Sequence, residues 1–256
     1  MNDRRHRPVG IDRAKRTKGA PPRPSKQTRT PPRPDLPTDA PVDLPKGVVR
    51  ELKRQIRAED VREPALVAMT LASDALEDED GATALPYLTW LRAVAPRSAA
   101  VRESLGVTLY LTEDFAGALS ELQTYRRMTS RPDQNHVIAD CLRALERGTD
   151  RIPELVEEME GEAPDERITE GVIVWGSHLA DRGDLAAGRA VVRRRAEALD
   201  REENPVEEHH LRLWYVAGDL AERDDDRDAA VRYFERIAEH VEGFFDTDER
   251  LARLTG

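Results

Sequence analysis

Apolar residues recur every three or four positions through most of the chain after about residue 60, a spacing typical of amphipathic helices. The stretch 98–131 shows this pattern most clearly. Val101, Leu105 and Leu109 form one stripe, and a Thr-Glu-Asp turn leads to a second stripe that begins at Phe115. The pattern therefore predicts two helices joined by a tight turn, each with one face that must be buried.

Small residues lie in the middle of these stripes and return at a near-constant interval. Gly106 is followed after 35 residues by Cys141 and after another 35 by Gly176. Ala72 lies 34 residues before Gly106, and Gly218 lies 42 residues after Gly176. Because a small side chain lets two helices approach closely, this interval predicts five successive helix pairs.

The stretch 98–131 resembles a tetratricopeptide repeat (TPR), a helix-turn-helix unit of about 34 residues. The Leu-Gly pair of that family matches Leu105-Gly106, and the residues typical of its second helix match Phe115, Ala118 and Leu122. The resemblance implies an all-α fold, a right-handed superhelix (α-solenoid) of about five TPR-like helix pairs. A generic helical bundle and another kind of helix-pair solenoid remain as alternatives.

The chain divides into two predicted parts. The resemblance to TPR proteins covers about residues 64–243, and a solenoid needs capping elements at its ends. A lone amphipathic helix at 48–58 and a short helix after Asp246 fit those roles. We therefore assign 47–256 to the solenoid with its capping helices, and 1–46 to a separate tail. The whole chain is similar to bacterial TPR proteins with a basic N-terminal tail.

Charge is distributed unevenly between the two parts. Residues 1–46 hold twelve Lys or Arg against five Asp or Glu, a net charge of +7, whereas the rest of the chain carries −17. The tail also holds ten of the seventeen prolines and no aromatic residue, a composition that predicts disorder. Its basic residues include Arg4, Arg5, Arg7, Arg13, Lys15, Arg16, Lys18, Arg23 and Arg33.

Three roles for the tail remain open. It could be a solubilising segment without a fixed partner, or it could attach the protein electrostatically to RNA, the ribosome or DNA. It could also dock on an acidic protein surface, including that of this protein itself.

The sequence contains no combination of residues that an enzyme, a metal site or a cofactor site would need. Glu207 and His210 form a single Glu-x-x-His pair, whereas a di-iron bundle needs two such pairs and further glutamates. Cys141 is the only cysteine and has no identifiable partner base. A single cysteine fits a reducing compartment, and the sequence shows neither a secretory signal nor an apolar run long enough to span a membrane. Together these features predict a cytoplasmic protein.

The remaining candidate site is a surface. In TPR proteins the outward positions of the first helices line an inner groove that binds peptides. Carried over residue by residue, these positions are Glu77, Glu103, Tyr110, Asn135, Glu146, Glu170, Asp181, Tyr215, Asp219 and Glu222. Since this set is acidic, we expect a non-enzymatic interaction scaffold that binds a basic or extended peptide, with its own tail as one option. The alternative is an RNA- or ribosome-associated factor tethered through the Arg-rich tail. The oligomeric state stays open.

Overall fold

The computed structural model describes residues 31–37, 40–199 and 205–256. Throughout these residues the regular structure is helical, with no β-strand, so the all-α prediction is confirmed. The helices are α1 (Lys46–Gln55), α2 (Glu59–Glu77), α3 (Gly81–Val94), α4 (Ala99–Leu111), α5 (Phe115–Thr129), α6 (Asn135–Ala144), α7 (Ile152–Glu157), α8 (Asp165–Asp181), α9 (Leu185–Leu199), α10 (Glu208–Arg223), α11 (Arg227–Ala238) and α12 (Thr247–Thr255).

Helices α2 to α11 form five consecutive hairpins, each packed on the next, as the TPR-like solenoid predicts. The pairs are α2–α3, α4–α5, α6–α7, α8–α9 and α10–α11. Side chains before several helices accept a hydrogen bond from the backbone N–H three residues later, as in Asp114 with Gly117 at 2.9 Å. Such caps satisfy backbone donors that have no partner within the helix, and so fix where each helix begins.

The turn inside each hairpin repeats the same backbone feature. One residue adopts the left-handed conformation in every turn, with φ between 50° and 91°, namely Glu79, Glu113, Glu146, Gly183 and Asp225. In most of these turns the next residue donates its backbone N–H to a carbonyl five residues earlier, which closes the helix end. The recurrence identifies five equivalent units, including the third, whose sequence is the least regular.

Close helix approach occurs at the small residues that the sequence pattern singles out. A Cβ at Gly106 would lie 2.5 Å from the Leu122 side chain, and one at Gly218 would lie 2.7 Å from the Phe234 ring. In the fourth unit both facing positions are glycine. A Cβ at Gly188 would lie 2.5 Å from the backbone oxygen of Gly176. Large side chains therefore pack directly on glycine at two of these points and two backbones meet at the third, as the interval of small residues predicts.

The third hairpin differs from the others because its second helix is short. Helix α7 has six residues and contains Pro153 in its first turn, preceded by a 3₁₀ turn at Thr149–Arg151. Proline is well tolerated at the start of a helix, where its missing N–H removes no hydrogen bond. Ile152 and Leu155 are fully buried, so the short helix still covers α6 and α8.

The N-terminal end of the array is covered by α1 and by the chain before it. Leu52 of α1 is fully buried. The described residues between 31 and 45 have no regular secondary structure, yet Leu36 and Leu44 pack against the same core, and the Asp43 N–H donates to Thr70 Oγ1 at 3.3 Å. This part of the predicted disordered tail is therefore packed. Residues 1–30 lie outside the described residues.

The other end of the array is covered by α12. Leu251 and Leu254 of this helix, together with Phe244, pack against the core cluster that runs from α5 to α11. A second core cluster joins α1 to α4, and Leu109 contacts both clusters. The described solenoid is thus continuous and capped at each end.

Candidate functional site on the first-helix face

The first helices of successive hairpins line one common face. Helices α2, α4, α6 and α8 each contact the first helix of the next hairpin, whereas successive second helices are in at most marginal contact. The array therefore bends with its first helices on the inside. Below, "the first-helix face" means the outward surface of α2, α4, α6, α8, α10 and α12.

In the first two units the predicted site residues lie on or beside this face. Glu77 is exposed at the end of α2. Glu103 of α4 accepts a hydrogen bond from Gln134 Nε2 at 2.7 Å. The Tyr110 hydroxyl donates to Asp140 Oδ2 of α6 at 2.6 Å, and burial, with this carboxylate, raises the Tyr110 pKa well above its usual range. The phenol therefore stays protonated and acts as a donor between units.

In the fourth and fifth units the predicted carboxylates are paired with arginines from the following first helix. Arg212 Nε lies 2.7 Å from Glu170 Oε1, and Arg223 Nη2 lies 3.4 Å from Asp181 Oδ1. Burial raises the Glu170 pKa, and the Arg212 guanidinium opposes that rise. These carboxylates thus hold adjacent repeats together as well as facing the groove.

The pairing continues into the capping helix. Arg250 Nη1 of α12 lies 2.9 Å from Asp219 Oδ1 and 3.3 Å from Glu222 Oε2, and Arg253 Nη2 lies 2.5 Å from Glu222 Oε1. The Tyr215 hydroxyl donates to Asp246 Oδ1 at 2.6 Å, and burial together with this bond raises its pKa to about 12. The fifth unit is therefore tied to α12 by charge and hydrogen bonds.

These contacts change the expected charge of the groove. Arg143 of α6 pairs with Asp140 and interacts electrostatically with Asp181 of α8. Paired side chains therefore occur on α6, α8, α10 and α12. Several carboxylates in the C-terminal half of the face are therefore compensated by arginines, whereas Glu166 and Glu208 add negative charge around Glu170. Glu77 and Glu103 of the first two units, and Glu146 in the turn after α6, have no basic partner within the described ranges.

The third unit requires a correction. Asn135 is fully buried, and its amide donates to the Leu155 carbonyl at 2.9 Å, so it is not available to a partner. A shift of the repeat pattern by two residues, from Cys141 to Ala139, places His136, Asp140 and Arg143 at the groove positions. The contacts of Asp140 and Arg143 agree with this shift. Glu146 is exposed in the turn after α6.

The arginines of the face are the residues that sequence reasoning missed. Arg223, Arg250 and Arg253 lie one position beyond the outward set or in the capping helix, where the pattern assigned no role. A signal was present, since each stands about 30 to 42 residues after the carboxylate that it pairs with. Comparing each acidic groove position with the next unit would have found them.

Residues considered for catalysis or metal binding have packing or capping roles. The Glu207 N–H donates to His210 Nδ1 at 3.0 Å, which forms a capping box at the start of α10. Cys141 is fully buried, and burial raises the pKa of its thiol to about 12. In the portion that the structure describes, no three His, Cys, Asp or Glu side chains are grouped so as to hold a metal ion.

Of the predicted basic tail residues, the structure describes Arg33, which is exposed. The others lie outside the described residues, namely Arg4, Arg5, Arg7, Arg13, Lys15, Arg16, Lys18 and Arg23. Within the described ranges, no helix has both the length and the apolar character that crossing a membrane requires.

The sequence matches no family model, and no curated protein matches it in sequence. Among solved structures, the fold is similar to that of YrrB, described as a TPR protein with an unusual peptide-binding site. The similarity covers 76% of this chain and 95% of that chain, with 16% sequence identity and a TM-score of 0.48.

Proposed function

We propose that this protein is a non-enzymatic interaction scaffold that binds an extended, basic peptide along its first-helix face. The observation that carries the proposal is the uneven charge of that face. Several carboxylates in its C-terminal half are bound by arginines of the next helix, whereas Glu77 and Glu103 on the face, and Glu146 in the turn beside it, have no basic partner among the described residues. Basic side chains of a peptide would pair with these three groups.

The test is a titration of the full chain with a fluorescent synthetic peptide that reproduces residues 1–30, the Arg-rich part of the tail. Replacing Glu77, Glu103 and Glu146 by glutamine should weaken binding by about tenfold, since each exposed ion pair contributes up to about 1 kcal/mol. The matched control replaces Glu157, Glu160 and Glu235 by glutamine, because these are exposed carboxylates of the second helices and their turns. Equal weakening by both triple variants would reject the first-helix face as the binding surface.

A second candidate function rests on the net charge of +7 in residues 1–46. We propose it as the alternative: attachment to RNA or the ribosome through the tail, with the solenoid presented to another component. The packing of Leu36 and Leu44 on the first hairpin supports it, because it would anchor the tail beside α1. Deleting residues 1–30 should abolish co-sedimentation with ribosomes at low salt, and the intact chain should dissociate steeply as salt rises. Continued association of the deleted chain would contradict a tether through the tail.

A further inference from the structure

A cleft lined by arginines lies on the opposite side of the array from the first-helix face. It separates the second helices α9 and α11 and has a volume of about 630 Å³, and its lining also includes Ala217 of α10 and the carboxylates Asp224 and Asp226. The residues that each of these helices contributes to the cleft lie on one face of that helix. On α9 it consists of Ala186, Arg189, Ala190 and Arg193, and on α11 of Ala229, Arg232, Tyr233 and Arg236. Each stripe thus places two arginines one helical turn apart above small or aromatic residues.

Two of the four arginines are fixed by contacts within the protein. Arg189 lies 2.6 Å from Asp226 Oδ2 and also pairs with Asp224, and these hydrogen bonds raise its pKa. The Arg236 guanidinium lies 3.9 Å from the centroid of the Trp214 ring, a cation–π contact. These contacts hold the walls of the cleft in place.

The other two arginines are more exposed. Arg193 has 67% of its side chain exposed, and its one ion pair, with Glu197 at 3.6 Å, is long. Arg232 is exposed and, among the described residues, interacts electrostatically with Asp226 without forming a close ion pair. Their guanidinium groups stand on facing helices, so both can reach a ligand that lies between α9 and α11.

The repeat architecture does not require these arginines. Counting from the small residue of the second helix, Arg189 and Arg193 of α9 occupy the positions of Leu119 and Gln123 in α5. Helix packing in the second unit is therefore achieved without charge at these positions. Arg189 and Arg236 contribute to the array through Asp226 and Trp214, whereas Arg193 and Arg232 form no close ion pair with another helix among the described residues.

We propose that this cleft binds an acidic segment of a partner protein, whose Asp or Glu side chains pair with Arg193 and Arg232. The guanidinium group presents its donors in a planar fork that matches a carboxylate. The alanine-lined floor suits the peptide backbone between charged side chains. Nucleic acid fits less well, because its phosphates form an unbroken run of negative charge and Asp224 and Asp226 also line the cleft, whereas a peptide can place neutral residues beside these carboxylates. This site is independent of the first-helix face and selects a ligand of the opposite charge.

The probe is a fluorescein-labelled twelve-residue peptide of alternating Glu and Ala, titrated into the full chain by fluorescence anisotropy. Replacing Arg193 and Arg232 by alanine should weaken binding by about tenfold, as expected for the loss of two charge pairs. The matched control, R194A with R147A, removes the same charge from exposed positions outside the cleft and should change affinity less than about twofold. Because all four side chains are largely exposed, the variants should keep the helical circular dichroism of the parent chain.

Three outcomes would overturn the proposal. In the first, the two double variants bind the Glu-Ala peptide equally. In the second, the R193A/R232A substitutions weaken binding of a single-stranded RNA of twelve nucleotides more than they weaken binding of the peptide. In the third, a photo-reactive benzoylphenylalanine in the peptide forms cross-links only to residues 1–46, which shows that the basic tail is the binding site. Cross-links to residues 186–193 or 229–236 support the cleft.

Discussion

Replacing Phe234 by alanine is expected to lower the free energy of unfolding by about 3–5 kcal/mol, the range for truncating a buried aromatic residue. The Phe234 side chain is fully buried, and its ring packs directly on the backbone of α10 at Gly218. Neighbouring repeats can relax only partly around the cavity, because α10 also packs on α8 and α9. Urea unfolding followed by circular dichroism measures the loss.

The matched control is Phe245→Ala, since Phe245 is 63% exposed, and its loss should stay below about 1 kcal/mol. Stability in a solenoid is a sum of units and their interfaces, so the effect of Phe234→Ala should be local. Hydrogen exchange should accelerate in α10 to α12 and stay nearly unchanged in α2 and α3. Similar losses for the two phenylalanine variants would show that Gly218 and Phe234 do not form the close contact described above.

Contacts within one hairpin could be predicted from the sequence because they join residues close along the chain. Gly106 meets Leu122, and Gly218 meets Phe234, each pair separated by sixteen residues and one short turn. The small residue, the turn and the large apolar residue are all visible in one window of about 34 positions. Local spacing therefore fixes which faces of the two helices come together.

The third unit could not be placed correctly because two small, fully buried residues compete on one helix. Ala139 and Cys141 both have no exposed surface, and their distances from Gly106, 33 and 35 residues, are equally acceptable for a TPR-like interval. The choice depends on how α6 packs on the short α7, where Asn135 reaches the Leu155 carbonyl. That contact joins α6 and α7, the two helices of the third hairpin, and the apolar pattern does not determine the lengths of these helices.

The charge of the candidate site was harder to predict than its position. The helical positions of the predicted carboxylates follow from the repeat. Their ion pairs depend on the next unit, as with Asp219 and Arg250 of α12. A count of acidic residues on one helix therefore overestimates the negative charge that a partner would meet.

The segment before α1 is packed, although its composition predicts disorder. Proline-rich sequence without aromatic residues predicts disorder, yet Leu36 and Leu44 are enough to bind the chain to an existing apolar surface. Such a segment does not form a core of its own. It uses the face of the first hairpin that no preceding repeat covers, which a window of the tail alone cannot reveal.

Acidification is expected to destabilise the protein through His136, a residue of the first-helix face that the corrected pattern identifies. Burial, with a smaller contribution from the Arg167 guanidinium, lowers the His136 pKa to about 4, while Asp140 and the Asp133 backbone oppose the shift. Its Nδ1 atom is buried, and none of the described residues forms a hydrogen bond with it. The folded state therefore holds a neutral imidazole that the unfolded chain protonates at about pH 6.5.

The sign follows from proton uptake on unfolding. Below about pH 6.5 the unfolded state binds a proton that the folded state does not bind. Stability therefore falls as the pH decreases, until the folded imidazole also titrates near pH 4. The loss attributable to His136 should reach about 2 kcal/mol between pH 7 and pH 5, and about 3 kcal/mol by pH 4. His178 and His209 also have lowered pKa values from burial and act in the same direction.

The contribution of His136 can be isolated with His136→Gln, which has no charge to gain. The free energy of unfolding of the parent chain and of this variant is measured in urea at pH 7, 6 and 5, a range above the titration of most carboxyl groups. The difference between the two proteins should shift by about 2 kcal/mol over this range in favour of the glutamine variant. A constant difference would mean that His136 is solvated or paired when charged, and the helix face formed by His136, Asp140 and Arg143 would then have to be more open than the contacts of α6 and α8 imply.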